Sequence, residues 1–450
     1  MTAEPPAPSG TPPIDVDSPD HHRRLGGLGR DLLDFSRAAA LPDGGWGWLD
    51  ARGAVTPGLP ARLYVTCRMT HVHALGTLLG HPGSADAADH GLRALTGLFR
   101  DAAHGGWFGA VDADGSPVDD DKSAYPHAFV VLAASSAAIA GRPGASALLT
   151  DALDVVERHF WDDAAGMMVE TWDRTFTTLD PYRGMNSAMH TVEAFTAAYA
   201  ATGDDRWLDR AVRITRRAHA EARAHAWRLP EHYDAAWRPL LDHNSDTPDD
   251  PFRPYGSTVG HWLEWSRLTL HVRAALLTRS GDEATLTLAA ELLDGAVHLF
   301  DAAVEQGWAV DGEPGFIYTV DWDGNPRVRQ RLHWVLCEAL GAATVLRQVT
   351  GDDRYRDHEA TWWAYAERYL VDHEHGSWHH ELDPHNRPAA TIRPGKADAY
   401  HALQATLLPG SRWGSRSRAR SRPRADPRGP RAPPRCAASR RRAGAARSRR

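Results

Sequence analysis

Six short stretches of aromatic and turn-forming residues divide this chain into units of similar length, and that periodicity limits the fold before any single motif is weighed. The stretches are Gly45-Trp46 to Gly53, Gly106-Trp107 to Gly115, Gly166 to Trp172, His232 to Trp237, Gly315-Phe316 to Gly324 and Gly376-Ser377-Trp378 to Asn386. The interval is 61 residues from Gly45 to Gly106, 60 from there to Gly166, and 61 from Gly315 to Gly376. A unit of that size is one supersecondary element that cannot bury its own apolar face until neighbours stack against it.

Between the stretches, apolar residues recur at spacings of three and four. They mark twelve helices over roughly 25–40, 62–78, 84–102, 122–141, 143–159, 184–202, 204–226, 257–280, 282–306, 329–350, 353–371 and 395–408. Short connectors such as Gly203-Asp204-Asp205 and Gly351-Asp352-Asp353 carry capping and helix-breaking residues. Asp114-Gly115 and Asp323-Gly324 sit where a tight strand reversal needs positive φ. Two helices per unit and six units predict an all-α fold, an (α/α)6 barrel with short β-hairpins roofing a cleft. The barrel is expected over residues 21–409, behind a flexible Pro-rich leader over 1–20.

The net charge of −7 averages two unlike segments: residues 410–450 hold fifteen Arg and one Asp, a net +14, so the preceding 409 residues carry −21. An acidic body argues against a nucleic-acid partner, which needs a basic face on a folded scaffold. The tail lacks apolar periodicity and is expected to be disordered, or to be a basic arm. The chain has two lysines against forty-nine arginines, the mark of a GC-rich genome. Such DNA read out of frame gives this Arg/Ala/Pro/Gly/Ser mixture, so the tail is also readable as a frameshift product that breaks the last helix near Gly410. No apolar run is long enough to span a membrane and no secretory signal opens the chain, so a cytoplasmic protein is expected. Three scattered cysteines, Cys67, Cys337 and Cys436, suggest reduced thiols rather than a disulfide framework or zinc cluster.

Polar residues with chemical potential cluster at the starts of the even-numbered helices. They are Arg68 in the second, Lys122 and Tyr125 in the fourth, and Asn186, His190 and Glu193 in the sixth. His261 and Glu264 follow in the eighth, Trp334 and Glu338 in the tenth, Lys396 and His401 in the twelfth. If those helices form the inner ring, their side chains converge on one polar, aromatic cleft suited to a hydroxylated small molecule. Each has a structural alternative. Two His-x-x-Glu pairs, His190/Glu193 and His261/Glu264, place both members on one helical face, where the acid either satisfies a buried imidazole or works with it. A dinuclear metal centre is a third reading, but the residue order is reversed and no second group of facing carboxylates is evident, so no metal is expected. Arg68 reads equally as a packing cation, and His373, His375, His379 and His380 as solvated residues flanking a hairpin tip.

Motif by motif, the chain resembles the N-acylglucosamine 2-epimerase superfamily over about residues 25–409. The matching segments are Arg62 to Arg68, Lys122-x-x-Tyr125 with Phe129, Asn186-x-x-Met189-His190-x-x-Glu193, Gly260-His261-x-x-Glu264-Trp265, Trp334-x-x-x-Glu338 and Lys396-x-x-x-Tyr400-His401. The segments Asp249 to Gly256 and His261 to Leu268 are similar to its aldose-ketose isomerase branch. Val259 departs from the pattern, which usually has proline before the Gly-His. The altered end of the last helix is a larger departure, because His401 lies on that helix.

The resemblance implies interconversion of mannose, or a related aldose, and fructose through a cis-enediolate, with neither metal nor nucleotide cofactor. It implies His401 as the proton-shuttling base, His261 as the group that opens the pyranose ring and services O1 or O5, and Glu264 as the residue orienting His261. By the same resemblance His190 and Asn186 bind hydroxyls around C1 to C3, Tyr125 and Trp334 pack on the sugar, and Arg68 stabilises the enediolate oxygens. Histidine suits such two-way proton transfer because its ordinary pKa is about 6.5. Three alternatives remain: a 2-epimerase of N-acylglucosamine or a disaccharide, an inverting glycosidase or lyase built on two carboxylates, and a sugar-binding protein disabled by its altered last helix.

Overall fold

A computed structural model describes residues 14–411. The helices are α1 (Pro19–Ser36), α2 (Leu63–Leu78), α3 (Ser84–Thr96), α4 (Ala124–Ile139), α5 (Ala145–Val155), α6 (Met185–Thr202), α7 (Asp205–Ala224), α8 (Val259–Arg279), α9 (Glu283–Gly307), α10 (His333–Thr350), α11 (Arg354–Tyr365) and α12 (Tyr400–Leu407). Even-numbered helices are apolar or buried on nearly every face: thirteen of the sixteen residues are buried in both α2 and α4. Odd-numbered helices bury a single stripe, as in α7, where Trp207, Leu208, Ala211, Ile214, Thr215, Ala218, His219 and Ala222 face inward. Helices of the first kind need neighbours all round and those of the second need one, so the even helices form an inner ring sheathed by the odd ones. Each inner helix packs on the next, α2 on α4 and so on to α10 on α12, and α12 returns to α2. The fold is an (α/α)6 barrel.

Short turns carry the chain from an inner helix to the next outer one, and long hairpins carry it back at the opposite end. Two residues entering an inner helix pair with the hairpin of the following unit: Ala61–Arg62 with Ala110–Val111, Lys122–Ser123 with Thr171–Trp172, Arg183–Gly184 with His232–Tyr233, Ser257–Thr258 with Thr319–Val320, and Arg331–Leu332 with Glu381–Leu382. The sixth junction is closed by the Lys396 N–H on the Leu49 carbonyl at 2.8 Å and by Trp48 Nε1 on the Pro394 carbonyl at 2.8 Å. The mouth is therefore laced from unit to unit by main-chain bonds. Gly115 (φ 81°) and Gly324 (φ 88°) turn the tips of two of these hairpins in the left-handed region.

Several boundaries differ from the sequence reading. Helix α1 begins at Pro19, capped by Ser18, whose side chain accepts from His21 N–H, and Val16 is buried. The ordered chain thus reaches into the segment read as a leader. Lys122 and Lys396 precede their helices instead of opening them; each extended backbone lies in the laced mouth. Helix α12 starts only at Tyr400 and is eight residues long, followed by a 3-10 turn over Leu408–Gly410. The leader's residues 1–13, Cys436 and the Arg-rich tail from residue 412 lie outside the described residues, whereas Cys67 and Cys337 are buried free thiols. Among the described residues no helix is long and apolar enough to cross a membrane.

Candidate active site

The first turns of the six inner helices, together with the roof, line a single cleft, a concave setting of the kind that takes a small molecule. The eight residues to which the resemblance gives a role, Arg68, Tyr125, Asn186, His190, His261, Glu264, Trp334 and His401, line it; Lys122, Glu193, Glu338 and Lys396 stand behind it. They divide by ring half: Arg68, Tyr125, Asn186 and His190 come from α2, α4 and α6, and His261, Glu264, Trp334 and His401 from α8, α10 and α12.

Two imidazoles sit on that second half, each against its own carboxylate. His401 Nδ1 meets Glu338 Oε1 at 2.8 Å; with the carboxylate accepting, Nδ1 carries the hydrogen and Nε2 keeps its lone pair. Glu338 is in turn clamped by Arg267, which donates from Nε to Oε2 and, at 3.2 Å, from Nη2 to Oε1. Burial, then the nearby Arg68 cation, drive the His401 pKa well below its ordinary value, so the ring is neutral. His261 Nδ1 lies 2.9 Å from Glu231 Oε2, off the line of a well-directed hydrogen bond. The Trp334 ring packs beside both, 5.3 Å from His261 and 5.8 Å from His401 between centroids. Helix α8 leaves room for that indole only because residue 260 is glycine: a Cβ there would stand 2.4 Å from the Trp334 ring.

Arg68 dominates the first half. It donates to Asp398 Oδ2 at 3.1 Å and to the Tyr125 hydroxyl at 3.0 Å, and its guanidinium lies 4.6 Å from the Phe129 ring centre and 4.9 Å from that of Tyr400. Against the effect of burial, Arg68 holds the Asp398 carboxyl below its usual range. The His190 ring packs on Phe129 at 4.6 Å and Tyr125 at 5.3 Å; burial lowers its pKa to about 4. Asn186 Oδ1, His190 Nδ1 and Glu264 Oε1 are buried polar atoms without a hydrogen-bond partner in the protein. Arg68 Nε, His261 Nδ1 and His333 Nε2 are in the same state, so six residues lining one cavity carry such an atom, a kind of group that is rare in folded interiors.

The geometry corrects four expectations. Glu264 turns to His190 and Arg267, with Oε1 3.8 Å from His190 Nδ1 and 3.5 Å from Arg267 Nη2, so the carboxylate set against His261 is Glu231. A signal for Glu231 was present, since Glu170, Glu231 and Glu381 occupy matching places at the third, fourth and sixth hairpins. Glu170 accepts the Gly184 N–H, Glu231 the Thr258 N–H, and Glu381 the N–H groups of Ile392 and Arg393. Lys122 and Lys396 are structural: Lys122 Nζ bonds Asp101 at 3.1 Å and Lys396 Nζ bonds Asp372 at 2.6 Å, all four groups being buried. His380 is no solvated residue; it is buried, stacks on His333 at 3.9 Å and lines the cavity. Facing carboxylates, read as missing, are present: Glu264 and Glu338 converge beside His401.

Donor atoms of His190, Glu193 and Glu264, and of Glu264, Glu338 and His401, converge to within 4.8 Å in each group. Arg267 already stands between Glu264 and Glu338 as a fixed cation, and the Tyr400 hydroxyl donates to Glu193. We assign no metal to either group.

The family model described as N-acylglucosamine 2-epimerase (GlcNAc 2-epimerase) matches residues 44–405. A D-mannose isomerase of Thermobifida fusca is 50% identical over 391 residues, 86% of this chain and 94% of that protein. A D-mannose isomerase of Pseudomonas cannabina pv. alisalensis is 47% identical over 393 residues, 87% and 93% respectively. A crystal structure of a D-mannose isomerase superposes with a TM-score of 0.79 at 26% identity, covering 88% of this chain and 99% of that one.

Proposed function

The chain belongs to the N-acylglucosamine 2-epimerase family, and we propose that it is an aldose-ketose isomerase interconverting D-mannose and D-fructose without a metal. The observation that carries this reading is the pair of imidazoles, His261 and His401, set around one indole on one cavity, with the His401 Nδ1 bonded to Glu338 and the His261 Nδ1 set 2.9 Å from Glu231. The bond to Glu338 orients His401 with Nε2 as the atom left for a substrate, and the contact with Glu231 favours the same arrangement in His261.

In this reading His261 moves protons at oxygen, first opening the pyranose between O1 and O5. His401 Nε2 then takes the C2 hydrogen, and the charge spreads over O1 and O2 of a cis-enediolate. Arg68 supplies the fixed positive charge for those oxygens; a preorganised donor of this kind typically contributes a factor of about 10²–10³. His261 carries the proton from O2 to O1, and His401 returns its proton to C1. The aldehyde carbon has gained a hydrogen and the C2 alcohol has become the ketone. One base serving two adjacent carbons keeps the transfer on a single face. The held tautomer of His401 matters more than its basicity, because a ring free to turn about χ2 would spend much of its time with Nδ1 toward the sugar.

Incubation with mannose in D2O and EDTA, followed by NMR, tests the proposal. The expected products are fructose with deuterium at C1 and recovered mannose partly deuterated at C2. Accumulation of glucose in place of fructose would assign the 2-epimerase reaction instead, and untouched mannose would end the proposal.

A further inference from the structure

The floor of the cavity holds more buried acid than buried base. Glu193, Glu264, Glu338 and Asp398 are packed there with two guanidiniums, Arg68 and Arg267, each of these six groups at most 9% exposed. Arg68 is committed to Asp398 at 3.1 Å. Arg267 is committed to Glu338 through two hydrogen bonds, and Glu193 takes the Tyr400 hydroxyl. Glu264 receives what is left: Arg267 Nη2 at 3.5 Å, no hydrogen bond to Oε1, and 1% exposure. An anion so placed would have no hydrogen bond on Oε1 and a single guanidinium at 3.5 Å that is already committed to Glu338, a costly state for a buried carboxylate.

We infer that Glu264 carries a proton in the working enzyme and is a catalytic residue in that neutral form, donating a hydrogen bond from its carboxylic acid to an enediolate oxygen. This deepens the isomerase reading above and rests on it. The groups facing Glu264 are Glu338 on α10, Glu193 and His190 on α6, Arg68 on α2, Tyr125 on α4, Tyr400 and His401 on α12, and Arg267 on its own helix. Burial first, and then the Glu338 charge, raise the Glu264 pKa well above the carboxylate range, with Arg267 opposing. His190 Nδ1, also unpartnered, lies 3.8 Å from Glu264 Oε1. An enediolate oxygen at the cleft wall that Glu264 lines accepts from the acid. The acid keeps its proton throughout; it stabilises charge and transfers nothing. A carboxylic acid held neutral so that it can donate is an established way to build an oxyanion site.

Glu264→Gln and Glu264→Ala, with the fold checked by circular dichroism, test the inference. The amide retains a neutral donor, so Glu264→Gln should lower kcat at least tenfold less than Glu264→Ala. The wild-type rate should fall at alkaline pH as Glu264 ionises, and that limb should vanish in Glu264→Gln. The infrared difference spectrum of wild type minus Glu264→Gln should show the carbonyl stretch of a protonated carboxyl, shifted in D2O. A folded Glu264→Gln as inactive as Glu264→Ala, or a difference spectrum without that band, overturns the inference. The infrared measurement stands apart from turnover, so a wild type that leaves mannose unchanged refutes the isomerase reading and not the proton on Glu264.

Discussion

Mild acid should destabilise this protein through its buried histidines. Burial lowers the pKa of His71, His190 and His219 from 6.5 to about 4, and that of His73 and His127 to about 3. Each is harder to protonate in the folded chain than in the unfolded one. The unfolded state therefore binds more protons below pH 6.5, and stability falls with pH from that point until the folded values are passed. The slope is about 1.4 kcal/mol per pH unit for each such group. At about pH 5.5 one histidine has cost roughly 1.4 kcal/mol, and the five together roughly 7 kcal/mol, offset in part by Glu264 and Glu359, whose raised pKa values make the folded chain bind protons there, against a typical total of about 5–15 kcal/mol. Urea midpoints followed by circular dichroism should drop steeply between pH 7 and 5.5. His219 supplies the control, because it lies away from the cavity with Nε2 3.0 Å from the Thr269 hydroxyl. His219→Asn should be less stable at neutral pH yet show a pH slope shallower by about one proton. A midpoint that is flat from pH 7 to 5.5, or a slope unchanged in the variant, would refute the reasoning.

His401→Ala and His261→Ala should each lower kcat for mannose by about 10²–10⁴ with an unchanged circular dichroism spectrum; a variant within threefold of wild type removes that residue from the chemistry. Lys396→Met strips the buried Asp372 carboxylate of its cation and should cost about 3–5 kcal/mol by urea titration, most of it recovered on adding Asp372→Asn. Full stability in the single variant would show that the contact contributes nothing. Gly260→Ala pushes a Cβ into the Trp334 ring and should cost about 1–3 kcal/mol as an overpacked site, while raising KM through the displaced indole. An unchanged KM would mean that Trp334 does not bear on the sugar.

The barrel was legible because its signal is repeated six times, so an error in one unit is outvoted by the rest. Helix starts were less legible where tertiary bonding overrides the apolar period. Lys396 to Ala399 continue a helical pattern, yet the Lys396 amide is spent on Leu49 and its ammonium on Asp372, which holds the chain extended until Tyr400. The residues lining the cavity were recoverable because each falls at the same register of an inner helix. Their partners were not, since pairing crosses the ring: Glu338 reaches His401 over 63 positions, and Glu231 reaches His261 from a hairpin. Spacing on one helix pointed to Glu264 for His261, and three residues apart does put two side chains on one face. The imidazole of His261 turns up to the roof and the carboxylate of Glu264 turns down to Arg267, a divergence that no count along the chain reveals.

Helix α12 decides whether so short a last helix still supports chemistry. At eight residues it is too short to persist alone, and the other inner helices run from sixteen to twenty-one. What fixes His401, however, is in the first turn and in the residues just before it. Asp398 is held by Arg68, the Tyr400 hydroxyl by Glu193, and His401 Nδ1 by Glu338; further along, Leu403 and Leu408 are buried in the core against the rest of the ring. The orientation of the base thus depends on three other inner helices, α2, α6 and α10, and on no later turn of its own. Removing residues 412–450 should therefore leave kcat and KM for mannose within about twofold of the full chain, because Arg68, Glu193 and Glu338 suffice to orient the base. A tenfold loss on removal would show that the tail takes part in holding the base. An inactive full chain that regains turnover only when Arg68, Glu193 and Glu338 are supplied with a longer last helix would show that these contacts are insufficient.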